Sequence, residues 1–196
     1  MPRMNILNSV EREAFDSPPA FNSVQRKQYF DFPSQLRRVA GSLRVPTHQL
    51  YFLLSASYFK AAKRFFLPST FHRRDVEHVA RQLELVDHPV DLKGYSRRTR
   101  QFHQHTIRTF YAFRLFDPEA CRLLRGEIVG MVRSQLKPKV IFGRCVEALV
   151  RSKVEVPSYT RLTKLILDAI RRQKQELAAI IERTLSQEAR GVLAVC

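Results

Sequence analysis

Arg97, Arg98 and Arg100 lie within four residues of one another, directly after Ser96. At the start of a helix, three guanidinium groups would crowd the positive pole of the dipole, where only an anionic partner makes them favourable. Lys60, Lys63 and Arg64 form a second basic cluster beside aromatic residues, and Arg73-Arg74 a third. Lys137, Lys139, Arg161, Lys164, Arg171, Arg172 and Lys174 spread the same sign over the last third. Several basic clusters without matching acids are the electrostatic footprint of a nucleic-acid partner. The sharpest pattern for reading bases is Tyr159, Thr160, Arg161 and Lys164, placed on the first turns of a helix capped by Ser158. Recognition helices touch base edges with such turns: Arg pairs bidentately with guanine, and Tyr and Thr suit phosphate or thymine-methyl contacts. The predicted DNA-binding set is therefore Lys60, Lys63, Arg64, Arg97, Arg98, Arg100, Arg108, Tyr159, Thr160, Arg161 and Lys164.

Catalytic patterns are thin. His105-Thr-Ile-Arg108 has the His-x-x-Arg spacing of tyrosine recombinases, with Tyr159 as the nucleophile, but the strand-borne partner residues are missing. His103 and His105 stand two apart on a helix, point to different faces and cannot chelate one ion. Asp87 and Asp91 lack the third carboxylate of a two-metal site. None of the six glycines falls in a phosphate-cradling pattern. Cys121, Cys145 and Cys196 are too far apart for a disulfide framework or a zinc site and suit a reducing compartment, Cys145 as a core residue. The expectation is a binding protein, not an enzyme, with no metal and no cofactor.

The elements that must position these residues are helices. Leu36, Val39, Ala40 and Leu43 repeat at helical spacing, and Val45-Pro46-Thr47 predicts a turn with Thr47 capping a buried helix to about Phe66. A third helix from about His72 carries Val76, Val79, Ala80 and Leu83. From about Ser96, the spacing places Phe102, Thr106, Phe110 and Phe113 on one side of a helix, with Arg97, Arg100, Gln101, Gln104 and Arg108 opposite. Asp117-Pro118-Glu119 starts another, with Leu124, Ile128, Met131 and Val132 as its apolar stripe. Val140 to Val150 and a long helix from Ser158, carrying Leu162, Leu165, Ile166 and Ala169 and then Leu177, Ile180 and Ile181, complete the series. No alternating strand of useful length appears, so the fold class is all-α. The expected organisation is an irregular N-terminal arm over 1–33, a helical subdomain over 34–90 and a second over 95–196, with Asp87 to Gly94 as the boundary. Val45-Pro46-Thr47 and Val156-Pro157-Ser158 sit at equivalent places in a weak repeat, which reads as tandem helix-turn-helix-like units.

Composition bounds the function. Among 196 residues, Lys+Arg number 34 against 18 Asp+Glu, a formal net charge of +16 that favours polyanions. Hydrophobic residues at 44% and fourteen Phe exclude a wholly disordered basic tail. The chain shows neither a signal-peptide run near Met1 nor an uninterrupted apolar stretch long enough to span a membrane, so a cytoplasmic protein without membrane contact is expected.

Ordered strings along the chain resemble the N-terminal region of transposases of the Tn-three family, bacterial replicative transposons that form cointegrates. They are Arg3-Met-Asn-Ile-Leu7, Ala14-Phe-Asp-Ser-Pro-Pro19-Ala-Phe-Asn22, Tyr58-Phe-Lys-Ala-Ala-Lys-Arg-Phe-Phe66, Asp75-Val-Glu-His-Val-Ala80, the Arg108 to Phe116 segment and Val154-Glu-Val-Pro157-Ser-Tyr159. The resemblance implies a helical module that binds the terminal inverted repeats of the transposon as double-stranded DNA, with homodimers formed through the full-length protein. The family's Asp-Asp-Glu core, an RNase H-like fold using Mg²⁺, lies further along a longer chain, and nothing here matches it. At its end the chain departs from the family, and Ala194-Val-Cys196 reads as a stop or frameshift, so a truncated transposase is expected. The alternatives are a non-specific nucleic-acid-binding helical module, a tyrosine-recombinase-like enzyme and a structural protein-interaction fragment with helix 158–185 as its pairing surface.

Overall fold

Asn8 and Asn22 give the N-terminal stretch an order that its prolines conceal. The computed structural model describes residues 5–85 and 95–193. There the irregular arm expected over 1–33 is replaced by two helices, α1 (Ser9–Asp16) and α2 (Ser23–Tyr29). Each opens with a capping box. The Asn side chain accepts the N–H of Glu11 or Gln25 at 2.8 Å, and that residue's side chain accepts the Asn N–H at 3.1 Å. Two otherwise orphaned donors are satisfied at each start, and Pro18 and Pro19 lie between the helices, where they interrupt nothing.

The rest of the chain is helical as well: α3 (Ser34–Gly41), α4 (Pro46–Ala62), a 3₁₀ turn (Pro68–Thr70), α5 (Arg73–Gln82), α6 (Arg97–Phe110), α7 (Pro118–Arg133), α8 (Pro138–Arg151) and α9 (Tyr159–Leu193). The fold is all-α. Among the described residues, extended pairing is confined to the isolated bridge between Arg114 and Val154. Thr47 does not cap α4: Pro46 takes the first helical position, where its fixed φ fits and its missing N–H costs nothing, and Val45 precedes it. The helix stops before Phe66 because Lys63 turns into the left-handed region at φ 56°, its N–H still bonded to Phe59 O at 2.8 Å.

Two compact units result. Leu7–Phe116 with Leu149–Pro157 form the first; Asp117–Ala148, the chain from Ser158 onward and Ile6 form the second. In the first, α4 is the central post. Every residue from Leu50 to Phe59 is buried, and α2, α3, α5 and α6 pack around it. Phe30, Phe32, Leu36, Val79, Ile107 and Phe113 complete that core. Residues 95–116 thus share a core with 34–85, unlike the expected division into 34–90 and 95–196, and the proposed boundary Asp87 to Gly94 lies outside the described residues. The expected helix-turn-helix of α3 and α4 exists as a packed pair, but α4 is buried on all sides from Leu50 to Phe59 and only its ends are half-buried, so the body of the helix offers no face to a DNA groove. For the other expected pair, α8 and α9, the turn belongs to the first unit and α9 to the second.

Buried charge fastens the N-terminal helices to this core. Arg26 Nε meets Asp75 Oδ1 at 2.6 Å, Tyr58 donates its hydroxyl to Asp75 Oδ2 at 2.8 Å, and Asp75 is fully buried. Burial and the Asp75 carboxylate push the Tyr58 phenol well above its usual range, so it stays a donor. The second unit is plainer. Ala120, Leu124 and Ile128 of α7, Ile141, Phe142 and Cys145 of α8, and Leu162, Leu165 and Ile166 of α9 are buried, and α7 packs on α9. Met131 and Val132 are only half-buried, and Leu177, Ile180 and Ile181 of α9 are exposed. Among the described residues, no helix is long and apolar enough to cross a membrane.

Candidate nucleic-acid interface

α6 starts as the sequence suggests. Ser96 Oγ accepts the Thr99 N–H at 3.1 Å, and Arg97 is the first helical residue. Its rotation about its own axis is unexpected. The buried positions are His103 and Ile107, and Phe102, expected on the apolar side, is 62% exposed. His103 succeeds in the core because its polarity is answered: Nδ1 lies 2.9 Å from the Tyr95 hydroxyl, and the ring meets Phe52 edge-on at 5.4 Å. A buried polar group with a partner does not carry the desolvation cost of an orphan. Burial, with His48 beside it, lowers the His103 pKa to about 4, so the ring is neutral in the folded protein at neutral pH. Once 103 and 107 face inward, helical geometry sends Arg98, Gln101, Phe102, His105 and Thr109 outward, and all five are exposed.

The predicted basic set divides sharply. Arg97 and Arg98 are exposed and Arg100 half-buried, with no acidic residue in the first turn of α6. Arg64 is a structural residue instead: it is buried, donates to Phe15 O at 2.7 Å and Asp16 Oδ1 at 3.1 Å, and lies over the Phe15 ring at 4.4 Å. Lys60 and Lys63 are also turned to internal work. Lys60 Nζ donates to Gln28 O at 3.0 Å, satisfying a carbonyl at the end of α2, and Lys63 Nζ donates to Lys60 O. Burial, helped by nearby Lys153 and Lys60, lowers the Lys63 pKa. Arg108 is held by Glu155 at 2.8 Å and lies over the Phe65 ring at 5.6 Å, so the His105–Arg108 spacing is not a paired catalytic arrangement.

At the start of α9, Ser158 Oγ accepts the Arg161 N–H at 3.4 Å, a long capping bond. Tyr159 faces the core: it is 6% exposed, with its ring 5.7 Å from Phe142, and neither base contact nor nucleophilic attack suits that placement. Thr160, Arg161 and Lys164 are exposed, whereas Leu162, Thr163, Leu165 and Ile166 are buried, so the outward strip is narrow.

Among the described residues, no three His, Cys, Asp or Glu side chains come together as a metal site. Burial pushes the Cys145 thiol up to about 12, which keeps it an inert core thiol. Sequence reasoning placed basic residues on α6 but misjudged which side of the helix faces out. Phe102 concealed it, because aromatic spacing at 102, 106, 110 and 113 mimics an apolar stripe, whereas 103 and 107 leave only one aliphatic side chain to notice. The available signal was Arg98, Gln101 and His105, which share a helical face with one another.

No curated protein matches the chain. The profile of a family described as a domain of unknown function, DUF4158, matches residues 6–169, which include α6 and the start of α9. Because that match covers most of the chain, this protein belongs to the DUF4158 family.

Proposed function

We propose that this chain is the end-binding part of a replicative transposase of the Tn-three family, holding the terminal inverted repeats of its transposon as double-stranded DNA. The observation that carries this reading is the start of α6, where exposed Arg97 and Arg98 stand at a Ser-capped helix end without an acid in the first turn. Such a turn opposes the helix dipole by itself; a phosphate-bearing partner reverses the balance and releases counterions on binding. The transposase-like strings from Ala14 to Tyr159 lie inside the span matched by the family profile, so the resemblance and the membership concern the same segment. Recognition is then the task of this segment in the bacterial cytoplasm, and DNA cleavage and strand transfer would fall to the Asp-Asp-Glu core that the resemblance implies for the family.

The test is a binding titration of the protein against the terminal repeat and a scrambled duplex at several salt concentrations. Tighter binding to the repeat is expected, with a log–log salt slope of about −5 for about six phosphate contacts. Replacing Arg97 and Arg98 by alanine should flatten that slope by about 1.8, since each phosphate contact contributes about 0.9. Equal affinity for both duplexes would replace this proposal with charge-driven binding that reads no bases.

A further inference from the structure

Phe102 is the oddity of α6. A large aromatic side chain stands 62% exposed on a helix whose other outward residues, Arg98, Gln101, His105 and Thr109, all carry hydrogen-bonding groups. A lone exposed apolar residue is ordinary on a protein surface. This one lies along one edge of an outward stripe that also carries Arg98 and Gln101, and the three are side-chain types used to read bases in the major groove. Arg pairs bidentately with guanine O6 and N7, Gln with adenine N6 and N7, and an apolar side chain packs on the thymine 5-methyl group.

The stripe is also mounted as a reading surface requires. From Arg98 to Thr109 it runs about 16 Å along the helix, roughly three turns, which is the scale on which a helix follows the major groove. The opposite side of α6 is fixed by buried His103 and Ile107, so the outward side chains project from a rigid support. Thr109 Oγ1 donates to His105 O at 3.0 Å, and this bond sets its rotamer. At the same helix start, exposed Arg97 is available to phosphate. α4 offers no such surface because Leu50 to Phe59 are all buried. The start of α9 shows only Thr160, Arg161 and Lys164 to solvent, in the manner of a helix that grips phosphate.

We infer that α6 is the base-reading helix: its outward face enters the major groove, Gln101 reads an adenine, Arg98 a guanine, and Phe102 packs on a thymine methyl. This rests on the DNA-end-binding function proposed above and gives it a reading element and a base preference. The start of α9 is then a positioning contact to the DNA backbone.

The experiment selects bound duplexes from a library randomised over about 20 base pairs, using the intact chain and its Gln101→Ala and Phe102→Ala variants. Both substitutions fall on exposed positions, and circular dichroism verifies their folding. The unmutated chain should enrich one site. On that site Gln101→Ala should lose about 5- to 150-fold in affinity, the loss of one good bidentate contact. Its affinity for unrelated duplexes should not change. A second measurement needs no variant to fold. Replacing single thymines of the enriched site by deoxyuridine removes only the methyl, and one such replacement should weaken the unmutated chain about 4-fold while leaving Phe102→Ala indifferent. If the unmutated chain enriches a site and both variants enrich the same one with undiminished affinity, α6 does not read bases, and end binding stands without it. The same holds if every thymine replacement is silent. If the unmutated chain enriches no site, the end-binding function itself fails. A partner protein docking on Phe102 would appear as variants with unaltered DNA selection, which overturns the inference.

Discussion

The two units use charge in different ways. In the first, exposed pairs such as Arg73 with Glu77 stand beside three that are built into the fold: Arg26 with Asp75, Arg64 with Asp16, and Arg108 with Glu155, each with at least one partner largely shielded from water. In the second, two pairs among the described residues lie at the surface. Arg133 and Glu176 stand 4.0 Å apart with both side chains more than half exposed, and exposed Arg171 pairs with half-buried Asp168 at 3.3 Å within α9. An arginine in the first unit therefore cannot be classed by its charge alone, because some hold the chain together and others face outward. At an exposed pair such as Arg133 with Glu176, a charge can be removed with little effect on folding, so a binding defect there reports on binding.

The largest test of this contrast is Asp75→Asn. It leaves Arg26 without its counter-charge in a nearly dry site, and breaking such a pair from one side costs about 3–5 kcal/mol. Chemical denaturation should show a loss of that size, and an unchanged unfolding midpoint would mean that the Arg26–Asp75–Tyr58 cluster is not a fastening at all.

A smaller effect should follow from His103. Its folded pKa is about 4 against an ordinary 6.5, so the unfolded chain binds the proton more readily. The stability this contributes is fully present above pH 6.5 and disappears as the pH falls toward 4, by up to about 3 kcal/mol. His103→Gln should lack this component, and the difference between the two stability–pH curves isolates it from the carboxylates that titrate in the same range. Parallel curves would show that burial of this ring does not govern its protonation.

The smallest effect is expected in the second unit. Arg133→Ala removes one member of an exposed pair and should change stability by less than about 1 kcal/mol. A loss as large as that of Asp75→Asn would erase the distinction between the units.

Much of the helical layout was legible in the sequence because its signals are local. Ser96 and Asp117 cap α6 and α7 as their side chains predict, and Asp117 accepts the Ala120 N–H at 2.7 Å. Leu36 and Ala40, Val79 and Ala80, and Leu124 and Ile128 are buried as their spacing requires. The N-terminal helices were missed although their signals were equally local, since Asn-x-x-Glu and Asn-x-x-Gln are capping boxes that the neighbouring prolines overshadowed. The predicted interface was only partly legible. Arg97, Arg98, Arg161 and Lys164 are exposed as expected, whereas Arg64, Arg108 and Tyr159 are held by partners far away in the sequence.

By itself, then, the sequence determined that this protein is helical, strongly basic and punctuated at defined caps, because composition, capping and hydrophobic period act over a few residues. Only the tertiary structure decided which side of α6 faces out. His103 and Phe102 are adjacent and 100° apart on the helix, and both are ring side chains that fit a core by size. The choice was made by Tyr95, whose hydroxyl lies 2.9 Å from the His103 ring and satisfies it in the interior, and by Phe52 of α4, which packs against that ring. Those partners are supplied by the packed core, and they leave Phe102 in solvent beside Arg98 and Gln101.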